Sequence, residues 1–206
     1  MTRLFLQFFS YLRDTLVPQR RTERLIAPLT QEDVLDLRDP RTGALPYQDE
    51  RVRALVWEVK YYANHHAVSL CGPVLAEALL GVGSESLGTP LLIPVPIHPS
   101  RRKKRGHNQT ELLARAALAH TGDSFEYAPD LLIRTRTTTQ QQGLPRHTRQ
   151  TNVARSMAVV HPERVRGRSC VVLDDVMTTG ATLAEAARAL HAAGACSVEF
   201  VALAHS

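Results

Sequence analysis

Apolar positions along the chain fall into two rhythms. Val52, Leu55, Val56 and Val59 recur at three- and four-residue spacing, which predicts a helix over residues 49–61. Pro73 is placed in the first turn of another helix running to about Leu80, where its missing N–H costs least. Leu91, Leu92 and Ile93 form a short buried strand, closed by Pro94, Val95 and Pro96. Asn108 caps the next helix, with Glu111 three positions on in a capping-box-like pattern, and that helix runs to about His120. Residues 131–134 and 156–160 read as strands flanking a long polar loop, 135–152. A strand over 170–174, a helix over 181–193 ended by Gly194, and a strand over 197–204 complete the pattern.

The first 45 residues lack this regularity. Leu4, Phe5, Phe8, Phe9, Leu12 and Leu16 share one face of an amphipathic helix over residues 1–18, which packs on the body or on a partner. Gln7 interrupts the run and no small-residue cleavage site follows, so a signal peptide is not read; a membrane surface is the second choice. Residues 19–45, punctuated by Pro28, Asp39-Pro40 and Gly43, read as a connector or small irregular lobe. The division expected is an N-terminal helix and irregular lobe, 1–45, and a main domain, 46–206. Strands alternating with helices predict an α/β fold with a parallel sheet flanked by helices, its ligand site at the carboxyl ends of the strands.

Composition narrows this further. Cys71, Cys170 and Cys196 are far apart, form no C-x-x-C pair and suit a reducing compartment. No apolar stretch approaches the ~20 residues of a membrane span, so a cytoplasmic protein is expected. The net charge of +5 is uneven: residues 99–168 hold fourteen Lys/Arg against five Asp/Glu, and the rest of the chain is net acidic. Arginine supplies 22 of the 25 basic residues, and arginine binds phosphate bidentately.

The chemistry concentrates in residues 171–182, V-V-L-D-D-V-M-T-T-G-A-T. An apolar run ends in Asp174 and Asp175, which suit ribose hydroxyls or a Mg²⁺ ion. Thr178, Thr179, Gly180, Ala181 and Thr182 then lead into a helix, offering hydroxyls, backbone N–H groups and the helix dipole to a phosphate. An ordinary strand-to-helix turn explains the apolar run and the helix but not two adjacent carboxylates with Thr-Thr-Gly beyond them. Residues 94–109 read P-V-P-I-H-P-S-R-R-K-K-R-G-H-N-Q, with five consecutive cations between a strand end and a capped helix. A solvated basic loop is the usual fate of such a run, but its place at the active edge selects Arg101 and Arg105 as anion ligands and leaves Lys103 and Lys104 exposed. Residues 140–152, Q-Q-Q-G-L-P-R-H-T-R-Q-T-N, form a lid or a plain surface loop.

The segment from Asp174 to Thr182 resembles the phosphoribosyl pyrophosphate (PRPP) motif of type I phosphoribosyltransferases. All three motifs, in order and spacing over roughly residues 45–206, resemble the ComF family, which is linked to natural competence and DNA uptake. Lys60-Tyr61 fits that family's K-Y pair. The resemblance implies a type I phosphoribosyltransferase-like fold. It places Asp174 and Asp175 at the ribose, residues 178–182 at the 5′-phosphate, and Val95, Pro96, Arg101 and Arg105 at the pyrophosphate. Gln141, Arg149 and Asn152 would lie in a flexible loop, with Lys60 and Asn108 as further site residues. Mg²⁺ would arrive with PRPP rather than on a structural ligand set. The acceptor is not legible, and other competence or DNA-uptake proteins are possible partners.

Two departures stand out. His107 occupies the position between Gly and Asn where the family carries Phe or Tyr. No cysteine precedes Cys71, so the four-cysteine zinc module with which such proteins commonly begin is absent here and no zinc is expected. The alternative function is a non-catalytic protein that binds single-stranded DNA through the basic middle third, although aromatic residues are only 5% of the chain. A receiver-type phosphoacceptor is set aside, because no Lys follows Asp175.

Overall fold

A computed structural model describes residues 20–84, 86, 88–135 and 155–206. The expected N-terminal helix over 1–18 and the loop residues Gln141, Arg149 and Asn152 lie outside them. Along the chain run α1 (Arg21–Ile26), α2 (Gln31–Asp36), β1 (Leu45–Pro46), α3 (Glu50–Tyr62), α4 (His65–Gly83), β2 (Leu91–Pro94), α5 (Pro99–Arg105) and α6 (Gln109–Leu118). Then follow β3 (Glu126–Tyr127), β4 (Leu132–Arg134), β5 (Met157–Val159), α7 (Pro162–Val165), β6 (Ser169–Met177), α8 (Ala181–Ala192) and β7 (Ser197–His205).

Five strands pair in parallel in the order β1-β7-β6-β2-β3. β6 is central and its first seven residues are buried, as a strand covered on both faces must be. Alternate residues feed two cores. Leu92, Val171 and Leu173 join α3, α4 and α6 on one face; Leu91, Ile93, Cys170 and Val172 join α8 on the other. β4 and β5, expected as strands flanking the polar loop, form a separate antiparallel hairpin outside this sheet. Side chains of α8 hold it: Glu185 Oε1 accepts the Met157 N–H at 3.1 Å, and Arg188 Nη2 donates to the Met157 carbonyl at 3.1 Å.

Three local expectations are corrected. Pro73 is not in a first turn, because α4 begins at His65, eight residues earlier, where Asn64 caps it by accepting from the His66 and Ala67 N–H groups. Eight buried side chains between Ala67 and Leu79 outweigh the ~3 kcal/mol that an interior proline costs. α4 is also long and apolar enough to cross a membrane by length and composition, with a mean hydropathy of 1.4, contrary to the reading of no such stretch; its buried face belongs to the core. Finally, residues 20–45 are not irregular. They carry α1 and α2, whose Ile26 and Val34 are buried in the same core as α3 and α4, and β1 joins the main sheet.

Glu58, fully buried in α3, draws this corner together. It accepts from Arg20 Nε at 3.1 Å and Nη2 at 2.7 Å, from Thr22 Oγ1 at 2.6 Å and from Asn64 Nδ2 at 3.1 Å.

Candidate anion and sugar-phosphate site

β6 delivers Asp174 and Asp175 to the carboxyl edge of the sheet, both more than nine-tenths buried. Neighbouring strand residues point to opposite faces. Asp175 therefore faces the α3–α6 layer, where Lys60 Nζ lies 3.3 Å from Oδ2 and Gln109 Nε2 donates to the same oxygen at 3.4 Å. Asp174 faces the layer of α8 and the hairpin, and its Oδ1 accepts the Asp175 N–H at 2.9 Å. Burial, and then the charge of Asp175, pushes the Asp174 carboxyl well above the ordinary carboxylate range. Burial acts the same way on Asp175, but the Lys60 ammonium together with hydrogen bonds from Asp174, Lys60 and the Val176 N–H outweighs it and holds that carboxyl below the ordinary range. The Asp175 charge correspondingly raises Lys60.

Past Met177 the chain turns through Thr178 and Thr179 into Gly180, whose φ of 72° is left-handed and suits glycine. Thr179 Oγ1 accepts the Ala181 N–H at 3.4 Å as α8 begins. Gly180, Ala181 and Thr182 thus stand at the positive end of a twelve-residue helix. The five basic residues after Ser100 are helical, not a loop. A ring nitrogen of His98 accepts the Ser100 N–H at 3.2 Å as cap, and Pro99 opens the first turn. One helical turn apart, Arg101 and Arg105 reach the same cleft. Arg102 is tied to Glu111 at 2.6 Å, and Lys103 and Lys104 are exposed. Arg105 lies 4.9 Å over the Tyr61 ring and donates to Gln109 Oε1 at 3.3 Å.

Together these groups line one cleft of about 340 Å³. Lys60, Val95, Arg101, Arg105, Asp174, Asp175 and residues 178–182 all line it. Pro96 and Asn108 do not. The Pro96 carbonyl accepts from Arg134 Nε at 3.1 Å. Asn108 is buried at the start of α6 and donates to the Val95 carbonyl at 3.2 Å, so it positions the β2 exit. His107 has its ring nitrogens 3.0 Å and 3.1 Å from the carbonyls of Arg105 and Val59, joining α3 to the turn before α6. Sequence reasoning did not assign Tyr47, Ile97, Gln109 or Arg134 to the cleft, all of which line it. Gln109 stood within the R-G-x-N-Q motif, and Arg134 at a strand end, but neither signal was used.

The donor set fits Mg²⁺ carried by a phosphorylated ligand. Among the described residues no group of three or more His, Cys, Asp or Glu converges on a metal position. The carboxylate pair alone is an incomplete shell, as suits an ion that takes its other oxygens from phosphates and water.

A parallel α/β sheet, with this cleft at its carboxyl edge, is matched over residues 130–206 by the family described as phosphoribosyl transferase domain, and the two together define a phosphoribosyltransferase-like protein. The chain is 33% identical over 147 residues to the DNA utilization protein YhgH of Escherichia coli O157:H7, covering 70% of this chain and 63% of that one. It is 30% identical over 116 residues to the Competence protein F of Haemophilus influenzae, covering 56% and 50% respectively. Within the phosphoribosyltransferase-like class, the chain belongs to the ComF family. It spans less than two thirds of the length of these relatives. Two looser fold likenesses carry no weight beyond this. They are to a Bacillus subtilis glutamine PRPP amidotransferase (21% identity, 72% of this chain and 30% of that one, TM-score 0.41) and a Trypanosoma cruzi hypoxanthine phosphoribosyl transferase (14%, 73% and 66%, TM-score 0.39).

Proposed function

We propose that the cleft binds PRPP with Mg²⁺ and that the chain is a phosphoribosyltransferase-like protein serving DNA uptake or use. The observation that carries this reading is the buried Asp174–Asp175 pair lining one cleft together with the Thr178–Thr182 turn, Arg101 and Arg105. Residues 178–182 would hold the 5′-phosphate through hydroxyls, N–H groups and the helix dipole. Asp174 and Asp175 would accept from the ribose hydroxyls and stabilise positive charge developing on the ring as the C1–oxygen bond to pyrophosphate breaks and a bond to the acceptor forms. Arg101 and Arg105 would take the leaving pyrophosphate. Mg²⁺, when bound, would neutralise charge on the phosphates.

Titration calorimetry of PRPP with Mg²⁺ is the test, and saturable binding is expected. An absence of heat at millimolar PRPP would remove the reading. A panel of bases and amines, scored for pyrophosphate release, then separates turnover from a binding role.

The second reading, binding of single-stranded DNA, is favoured by the names of its relatives, a DNA utilization protein and a competence protein, and by exposed Lys103 and Lys104 on α5. Each phosphate contact adds about 0.7 to the salt slope on a single strand. Replacing both lysines with alanine is therefore expected to reduce the slope by about 1.4, read by fluorescence anisotropy across a salt series. Salt-independent binding would remove this reading.

A further inference from the structure

We infer that Arg134, carried by the β4–β5 hairpin, is a third pyrophosphate ligand, supplied from the opposite layer to Arg101 and Arg105. The inference rests on the PRPP reading.

Four observations converge on this residue. Arg134 lines the same cleft as Arg101 and Arg105. Its Nε–H is fixed on the Pro96 carbonyl at 3.1 Å, at the β2 exit. The alternation along β6 gives each carboxylate its own layer: Lys60 forms its ion pair with Asp175, and its charge reaches Asp174 only as a minor influence. Arg134 is the cation in electrostatic contact with Asp174 from the hairpin side. Burial, together with the neighbouring charge of Arg101, also works against its charged form, while Asp174 and Glu185 favour it. Arg101 is likewise disfavoured, by burial and by Arg105. Arg134 and Arg101 repel each other, as do Arg101 and Arg105, on a partly dehydrated wall, and a polyanion bound there would relieve that repulsion.

The hairpin is built to hold this group in place. Arg134 is the last residue of β4, in register with Met157, and Met157 is clamped from α8 through both its N–H and its carbonyl. A guanidinium so fixed keeps its direction when the ligand arrives, so little ordering remains to be done on binding. The position lies outside the P-V-P…R-G-x-N-Q segment, at the end of β4.

Binding of inorganic pyrophosphate with Mg²⁺ and of ribose 5-phosphate to the full chain tests this, with wild type, Arg134→Gln and Arg134→Lys compared by calorimetry. A charge-assisted contact corresponds to roughly 10- to 100-fold in affinity. Arg134→Gln is expected to weaken pyrophosphate by that factor and leave ribose 5-phosphate within about 2-fold. Arg134→Lys, which keeps the charge without the fork, is expected to recover part of the loss. Unchanged pyrophosphate binding in Arg134→Gln overturns the inference. An equal loss of both ligands, or a lowered melting temperature in both variants, reassigns Arg134 to a structural role. Wild-type binding of ribose 5-phosphate without pyrophosphate rejects this inference alone, whereas binding of neither ligand removes the PRPP reading with it.

Discussion

Asp174→Asn and Asp175→Asn are each expected to abolish the rise in melting temperature that PRPP and Mg²⁺ produce, while moving the ligand-free melting temperature in opposite directions. The loss of response follows from chemistry. An amide can neither carry the charge that Asp175 holds nor ionise, as Asp174 can, to balance a ring turning positive, and it is a poor ligand beside Mg²⁺. The opposite stability effects follow from the environments of the two carboxyls. Asp174 is raised by burial and by Asp175, so its ionised form is disfavoured in the fold. That penalty is present above the unfolded carboxylate value of ~3.9 and absent well below it. Asparagine keeps an oxygen for the Asp175 N–H and removes the penalty. Asp174→Asn is therefore expected to melt higher than wild type at pH 7, with the gain gone by about pH 4. Asp175 is the reverse case, held low by Lys60 against the effect of burial. Its replacement loses a nearly buried ion pair, about 2 kcal/mol, or about 4–8 °C at this size. Scanning calorimetry at both pH values with and without ligand decides the matter. Equal destabilisation with the ligand response retained would reject the assignment of the pair.

Glu58→Ala is expected to cost about 3 kcal/mol of folding stability. The carboxylate is fully buried, and Arg20, Thr22 and Asn64 all donate to it. Arg20 is partly exposed, which places the cost at the low end for a broken buried pair. Burial alone would raise the Glu58 carboxyl, but its donors outweigh burial and lower it. The stability it contributes is thus present above the unfolded value of ~4.3 and is lost as pH falls through the lower folded value. Urea denaturation should show the largest gap between wild type and variant at pH 7, closing below about pH 4. A pH-independent gap would assign the loss to packing instead of the charge.

Much of this was legible because the signal was local. The Asp174–Thr182 turn, the Asn108 cap and the choice of Arg101 and Arg105 over Lys103 and Lys104 depend on residues close in sequence. The basic run was misread as a loop because five adjacent cations outweighed the His98 cap and Pro99 start that make it helical. Pro73 reads locally as a helix start, but the burial along α4 tolerates an interior proline and the start is set by the Asn64 cap. β1 and β3 are two residues each, too short to show any period. The pairing of β4 with β5, and with it the place of Arg134, depends on a clamp from Glu185 and Arg188 across more than two dozen residues. No local pattern encodes that.

The alternation along β6 has a consequence for how the cleft comes into being. Side by side in the chain, Asp174 and Asp175 answer to different halves of the molecule, and a state in which only one layer has docked leaves one of them without its cation. The cleft is therefore complete only when both layers have closed on the sheet. A ligand that needs both carboxylates selects against every half-formed state, so its binding energy would hold the two layers to the sheet as a unit instead of tightening one edge.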